Sequence, residues 1–125
     1  MKYIKKPQSI LIQGLEPFTF DNFVQHLINT DDKFNKSGPV IRLALRIEDA
    51  LANGKTYVEL ENSQWEVLKE VAEAPSAPYP ALYVTGSDGT IEKLHFGRRL
   101  LPFIDAIVEA TDEKPVEVQE SADGG

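Results

Sequence analysis

Apolar positions along the chain change period several times, and each change marks an element. Ile10, Leu11 and Ile12, flanked by Ser9 and Gln13 and closed by Gly14, read as a short strand over 9–13. Thr19 then suits an N-cap with Asp21 in the first turn, and Phe20, Phe23, Val24, Leu27 and Ile28 recur at helical spacing to about Asp31. The polar stretch from Asp31 to Pro39 reads as a loop. A second helix follows from about Pro39 to Asn53, with Val40, Leu43, Ala44, Ile47 and Leu51 as its apolar stripe. Ile41 and Leu45 lie beside that stripe, and Arg42, Arg46 and Asp49 take the remaining side.

Residues 55–60 (KTYVEL) are extended, and Ser63 with Glu66 fits a capping box that opens a third helix. Its buried stripe is Trp65, Leu68, Val71 and Ala72, and Pro75, Pro78 and Pro80 end it. The runs 81–85 and 90–96 around Gly86-Ser87-Asp88-Gly89 read as a β-hairpin. After Gly97, a last helix carries Leu100, Ile104, Ile107 and Val108 on one face, with Leu101 and Phe103 flanking it. The expected fold class is α+β: about four helices, an N-terminal strand and a C-terminal β-hairpin forming a small antiparallel sheet. The edges of such a sheet invite strand addition by a partner. The pattern sets residues 1–111 as a single globular domain and 112–125 as a disordered acidic tail.

Composition agrees with one packed domain: of 125 residues, 42% are hydrophobic and 26% charged. Cysteine is absent, which excludes disulfides, thiol chemistry and cysteine-ligated metal centres. No stretch is apolar for long enough to span a membrane, and a cytoplasmic location is the default. The formal net charge of −7 argues against broad nucleic-acid binding. It is unevenly spread, however: +3 over residues 1–46, −6 over 47–111 and −4 over 112–125. The tail is either a solvating segment or an acidic arm for a basic surface.

Candidate chemistry is sparse. His26 and His95 are the only imidazoles, neither beside a nucleophile motif, and each reads as a partly buried side chain making one hydrogen bond. The carboxylate pairs Asp31-Asp32, Glu48-Asp49 and Glu59-Glu61 read as solvated charge, and Asp88 as a turn residue rather than a calcium ligand. No catalytic, cofactor-binding or metal-ligating set is therefore assigned. Arg98 and Arg99, ahead of the last helix, could hold an anion or an acidic partner, or pair internally. Arg42 and Arg46 stand i,i+4 on the second helix, either paired within the chain or forming a docking face. Phe34 in a polar loop and Tyr79 between prolines divide between local packing and interface anchors.

Between Ile41 and Pro80 the chain carries Arg46-Ile47, Ala50-Leu51, Gly54, Val58-Glu59-Leu60, Trp65, Leu68-Lys69, Glu73-Ala74-Pro75 and Tyr79-Pro80. Together with residues 100–106 (LLPFIDA), this series resembles small accessory and virion-associated proteins of tailed bacteriophages. The resemblance implies a virion or assembly role, in the host cytoplasm or the virion, with other viral or host protein subunits, or further copies of the chain, as partners. The expectation is a non-catalytic protein–protein interaction module. The alternative is a small regulator binding nucleic acid or a nucleotide through the basic N-terminal half and Arg98/Arg99.

Overall fold

The computed structural model describes residues 1–11, 15–95 and 97–115. Among the described residues it is an α+β fold with five helices and two small antiparallel strand pairs. Strand β1 (Lys2–Lys5) pairs with β2 (Tyr57–Leu60), in a register that sets Tyr3 against Glu59 and Ile4 against Val58. The N-terminal strand thus lies before the segment that the isoleucine run marks. Ile10 forms an isolated bridge with Phe18, and residues 12 and 13 of the expected strand fall outside the described residues. The lysine-rich opening conceals β1 because one side chain in it, Ile4, reaches full burial; backbone pairing supplies the rest.

The first helix, α1 (Phe20–Thr30), matches its sequence signals closely. Thr19 Oγ1 accepts from the Asn22 amide at 3.0 Å, and Phe20, Phe23, Val24, Leu27 and Ile28 are buried. The expected loop contains a single-turn helix, α2 (Asp32–Asn35), capped by Asp31. Helix α3 (Gly38–Leu51) follows, with Pro39 in its first turn. Helix α4 (Asn62–Glu73) begins earlier than the Ser63–Glu66 reading: Glu61 is the cap, and Gln64 Oε1 accepts the Glu61 amide at 2.9 Å.

The hairpin of β3 (Ala81–Thr85) and β4 (Ile91–His95) forms its own two-stranded sheet, separate from β1–β2. Its three-residue loop is closed by Gly89, whose φ of 86° suits glycine and whose amide donates to the Gly86 carbonyl at 3.0 Å. Asp88 Oδ1 accepts from the Thr90 hydroxyl at 2.7 Å and amide at 3.1 Å, which holds its carboxyl below the usual range. A 3₁₀ turn, Gly97–Leu100, leads into α5 (Leu101–Val108).

The core is one cluster shared by α1, α3, β1, β2, α4 and α5. Phe103 lies at its aromatic centre, its ring centroid 5.7 Å from those of both Phe20 and Phe23. The buried side of the last helical segment is therefore Leu100, Phe103 and Ile107, while Ile104 is half-buried and Leu101 exposed. A ring has more apolar surface to hide than a butyl chain, and it wins the inward position. Phe34 is 1% exposed and joins the same cluster, so it takes the local-packing alternative and offers no surface anchor.

A proline-bounded strap over residues 75–80 is fastened to α1 and α4 by polar contacts. Asp31 Oδ2 accepts from the Ser76 amide at 2.7 Å, and Ser76 Oγ accepts from the Asp32 amide at 2.9 Å. The Tyr79 hydroxyl donates to the Ala72 carbonyl at 2.6 Å, supplying a donor to the last turn of α4. Asp31 is thus buried and fully engaged, not part of a solvated pair. At the other end of the body, Trp65 Nε1 donates to the Ile107 carbonyl at 2.7 Å. Residues 112–115 of the expected tail are described, and Lys2 pairs with Asp112 at 3.1 Å; residues 116–125 lie outside the described residues.

Candidate interaction surface on helix α3

Helix α3 separates its residues by solvent access. Ala44, Ile47 and Leu51 are buried against the core, with Val40, Leu43 and Ala50 partly covered. The opposite side carries Ile41, Arg42, Leu45, Arg46 and Asp49, all exposed. Residues four apart on a helix lie about 40° from one another around its axis, so two ridges run side by side. One is Ile41–Leu45, 42% and 55% exposed; the other is Arg42–Arg46.

Neither guanidinium forms an ion pair within 4 Å among the described residues. The internal pairing of Arg42 and Arg46 with Glu48 or Asp49 is therefore not made. Three lysines of the same half of the chain are committed instead. Lys2 pairs with Asp112, Lys33 with Glu70, and Lys6 with Asp21 at 3.2 Å, while Lys6 also donates to the Leu51 carbonyl at 2.9 Å. The arginine ridge borders a groove of about 280 Å³, whose far wall is Glu61, Ser63 and Gln64 at the start of α4. The Glu61 carboxylate there can orient a basic or hydroxyl group of a bound segment, while the arginines face acidic ones.

The other candidates disperse. Tyr79 is half-buried, its ring centroid 6.3 Å from that of Phe23, and burial followed by the nearby Glu73 charge pushes its hydroxyl pKa up. Arg98 and Arg99 are exposed on the 3₁₀ turn, away from the α3 groove, with no ion pair among the described residues. His26 Nε2 lies 3.2 Å from the Pro78 carbonyl, the single hydrogen bond expected of it. The side chain of His95 falls outside those described. A larger groove, about 510 Å³, lies between Tyr3, Lys5 and Pro7 on one side and Pro102 and Asp105 of α5 with Glu109 at its C-terminal cap on the other, without an imidazole in its lining. Among the described residues no three His, Asp or Glu side chains converge as a metal-binding set, and no helix is long and apolar enough to cross a membrane.

The feature that periodicity concealed is the exposure of Ile41 and Leu45. Apolar residues cover more than half the circumference of α3, and the covered half is set by where β2 and α4 pack. Comparison with protein-family models, curated proteins and solved structures finds no match.

Proposed function

We propose that the chain is a non-catalytic protein-interaction module that docks an acidic, amphipathic segment of another protein on the outer face of α3. The observation carrying this reading is the pairing of two exposed aliphatic residues, Ile41 and Leu45, with two exposed guanidiniums that have no carboxylate partner among the described residues. Aliphatic contact supplies affinity, and desolvated arginines discriminate by charge. On this reading, in keeping with the motif resemblance, the module would serve as a virion or assembly accessory protein of a tailed phage, with a viral or host subunit as the partner.

A labelled helical peptide bearing Leu and Glu at i,i+4 tests the reading by fluorescence anisotropy. Binding that exceeds a scrambled control, weakens with salt and disappears in the Arg42→Ala/Arg46→Ala double variant is the expected result. Equal binding by the scrambled peptide, or binding unaltered in the double variant, overturns it. The regulatory alternative is weakened because Lys2, Lys6 and Lys33 are already paired with carboxylates. Salt-sensitive binding of duplex DNA or a nucleotide, without binding of the acidic peptide, would favour that alternative instead.

A further inference from the structure

The hairpin carries an interaction surface of a different kind. Strands β3 and β4 pair only with each other among the described strands, so each leaves one edge open. Register fixes which backbone groups face those edges. The Gly86 amide donates to the Thr90 carbonyl at 2.7 Å, so the pairs Val84–Glu92 and Leu82–Leu94 exchange the ladder bonds. The amides and carbonyls of Ala81, Tyr83 and Thr85 therefore point to the outer edge of β3, and those of Ile91, Lys93 and His95 to the outer edge of β4. No backbone hydrogen bond from these outward groups is made among the described residues. The exposed face beside them carries Tyr83 and Ile91, 64% and 71% exposed.

The two edges differ in charge. β4 presents Glu92 and Lys93, the kind of charge that blunts an edge, whereas β3 (ALYVT) has no charged residue along its length. An antiparallel pair of identical strands related by a twofold axis sets like against like at its centre and close neighbours elsewhere. Centred on Tyr83, two β3 strands would oppose Tyr83 to Tyr83, Leu82 to Val84 and Ala81 to Thr85, with no like charges facing. Centred on Lys93, two β4 strands would oppose lysine to lysine.

We infer that β3 is a self-pairing edge: a second copy of this chain docks on it antiparallel about Tyr83, joining two hairpins into one four-stranded sheet. The inference rests on the backbone edge and is independent of the α3 docking face. Salt separates the two as well. Two bodies of net charge −7 repel, so added salt strengthens the dimer, whereas it weakens docking of an acidic segment on the arginines.

Sedimentation and amide hydrogen exchange on the full chain test it. The expected result is a concentration-dependent doubling of mass, with protection of the Ala81, Tyr83 and Thr85 amides rising with concentration and that of Ile91 and Lys93 unchanged. Tyr83→Pro removes an edge-facing donor while sparing every β3–β4 ladder bond, and Lys93→Pro is the matched change on the other edge. Tyr83→Pro is expected to raise the dimer dissociation constant at least about tenfold, and Lys93→Pro to leave it within about twofold. A chain monomeric up to millimolar concentration overturns the inference. So does a dimer that Tyr83→Pro leaves intact, or one whose new protection appears on β4 or off the hairpin, as a foreign or different interface would give.

Discussion

The carboxylate of Asp31 accepts the backbone amide of Ser76 from 45 positions further along the chain, and the Ser76 hydroxyl accepts the Asp32 amide in return. Asp31 also takes the Lys33 amide on its other oxygen, at 2.8 Å. One buried carboxylate therefore caps α2 and holds the proline strap against the corner between α1 and α2. A buried charge is tolerated there because both of its oxygens have donors.

Replacing Asp31 by Ala leaves two amide donors without acceptors. The expected loss is about 2–3 kcal/mol, read as a lower urea midpoint at unchanged slope. Ser76→Ala keeps the amide bond and removes only the reciprocal hydroxyl, and about 0.5–1 kcal/mol is expected.

Phe103 and Leu101 separate burial from composition within one helix. Phe103→Ala opens a cavity beneath Phe20 and Phe23 and is expected to cost about 3–5 kcal/mol. Leu101→Ala removes an exposed side chain and should stay within about 0.5 kcal/mol of the parent in the same thermal melt. Equal effects would show that the ring is not the centre of the core.

Trp65 fastens α4 to the end of α5 through its indole N–H, with Lys2 and Lys69 Nζ lying 4.7 and 5.2 Å from its ring centroid. Trp65→Phe retains most of the packing and loses that donor, for an expected cost of about 1 kcal/mol. Since this is the one tryptophan in the chain, fluorescence of the parent reports directly on that junction during unfolding.

Tyr79 predicts an alkaline limb. Its hydroxyl pKa is raised above the usual 10.0 by burial and then by Glu73, so the folded state holds the proton more tightly than the unfolded one. Its contribution is complete below about pH 10 and is lost as pH climbs through the raised value. Tyr79→Phe, which forfeits the bond to Ala72, should be less stable than the parent at neutral pH by about 1 kcal/mol. The gap should narrow above pH 10 in paired denaturation series, and a gap that widens there would reverse the sign of the shift.

Local chemistry made α1 legible to the residue: a threonine cap, an acidic first turn and five apolar side chains at one spacing all agree. The hairpin was equally plain, since its glycine and flanking β-prone runs are short-range signals. Asp31 and Phe34 were not, because what buries them arrives from the strap and from α3 rather than from their neighbours in sequence. Strand β1 was hidden for the same reason: Lys2–Lys5 has little apolar pattern of its own and becomes a strand by pairing with Tyr57–Leu60. Arg42 and Arg46 were visible as a pair on one side of a helix. Their lack of carboxylate partners among the described residues, and the exposure of Ile41 and Leu45 beside them, depended on tertiary placement that no periodicity encodes.

Tyr3 exchanges both of its outward backbone bonds with Thr111, at 2.8 and 3.1 Å. A growing polypeptide holding β1 and β2 outside the ribosome must therefore wait for nearly everything between those two residues to be translated before that seam can close. That seam holds the two ends of the described body together, and a tether attached near residue 1 and another attached near residue 113 would emerge side by side from the same pole.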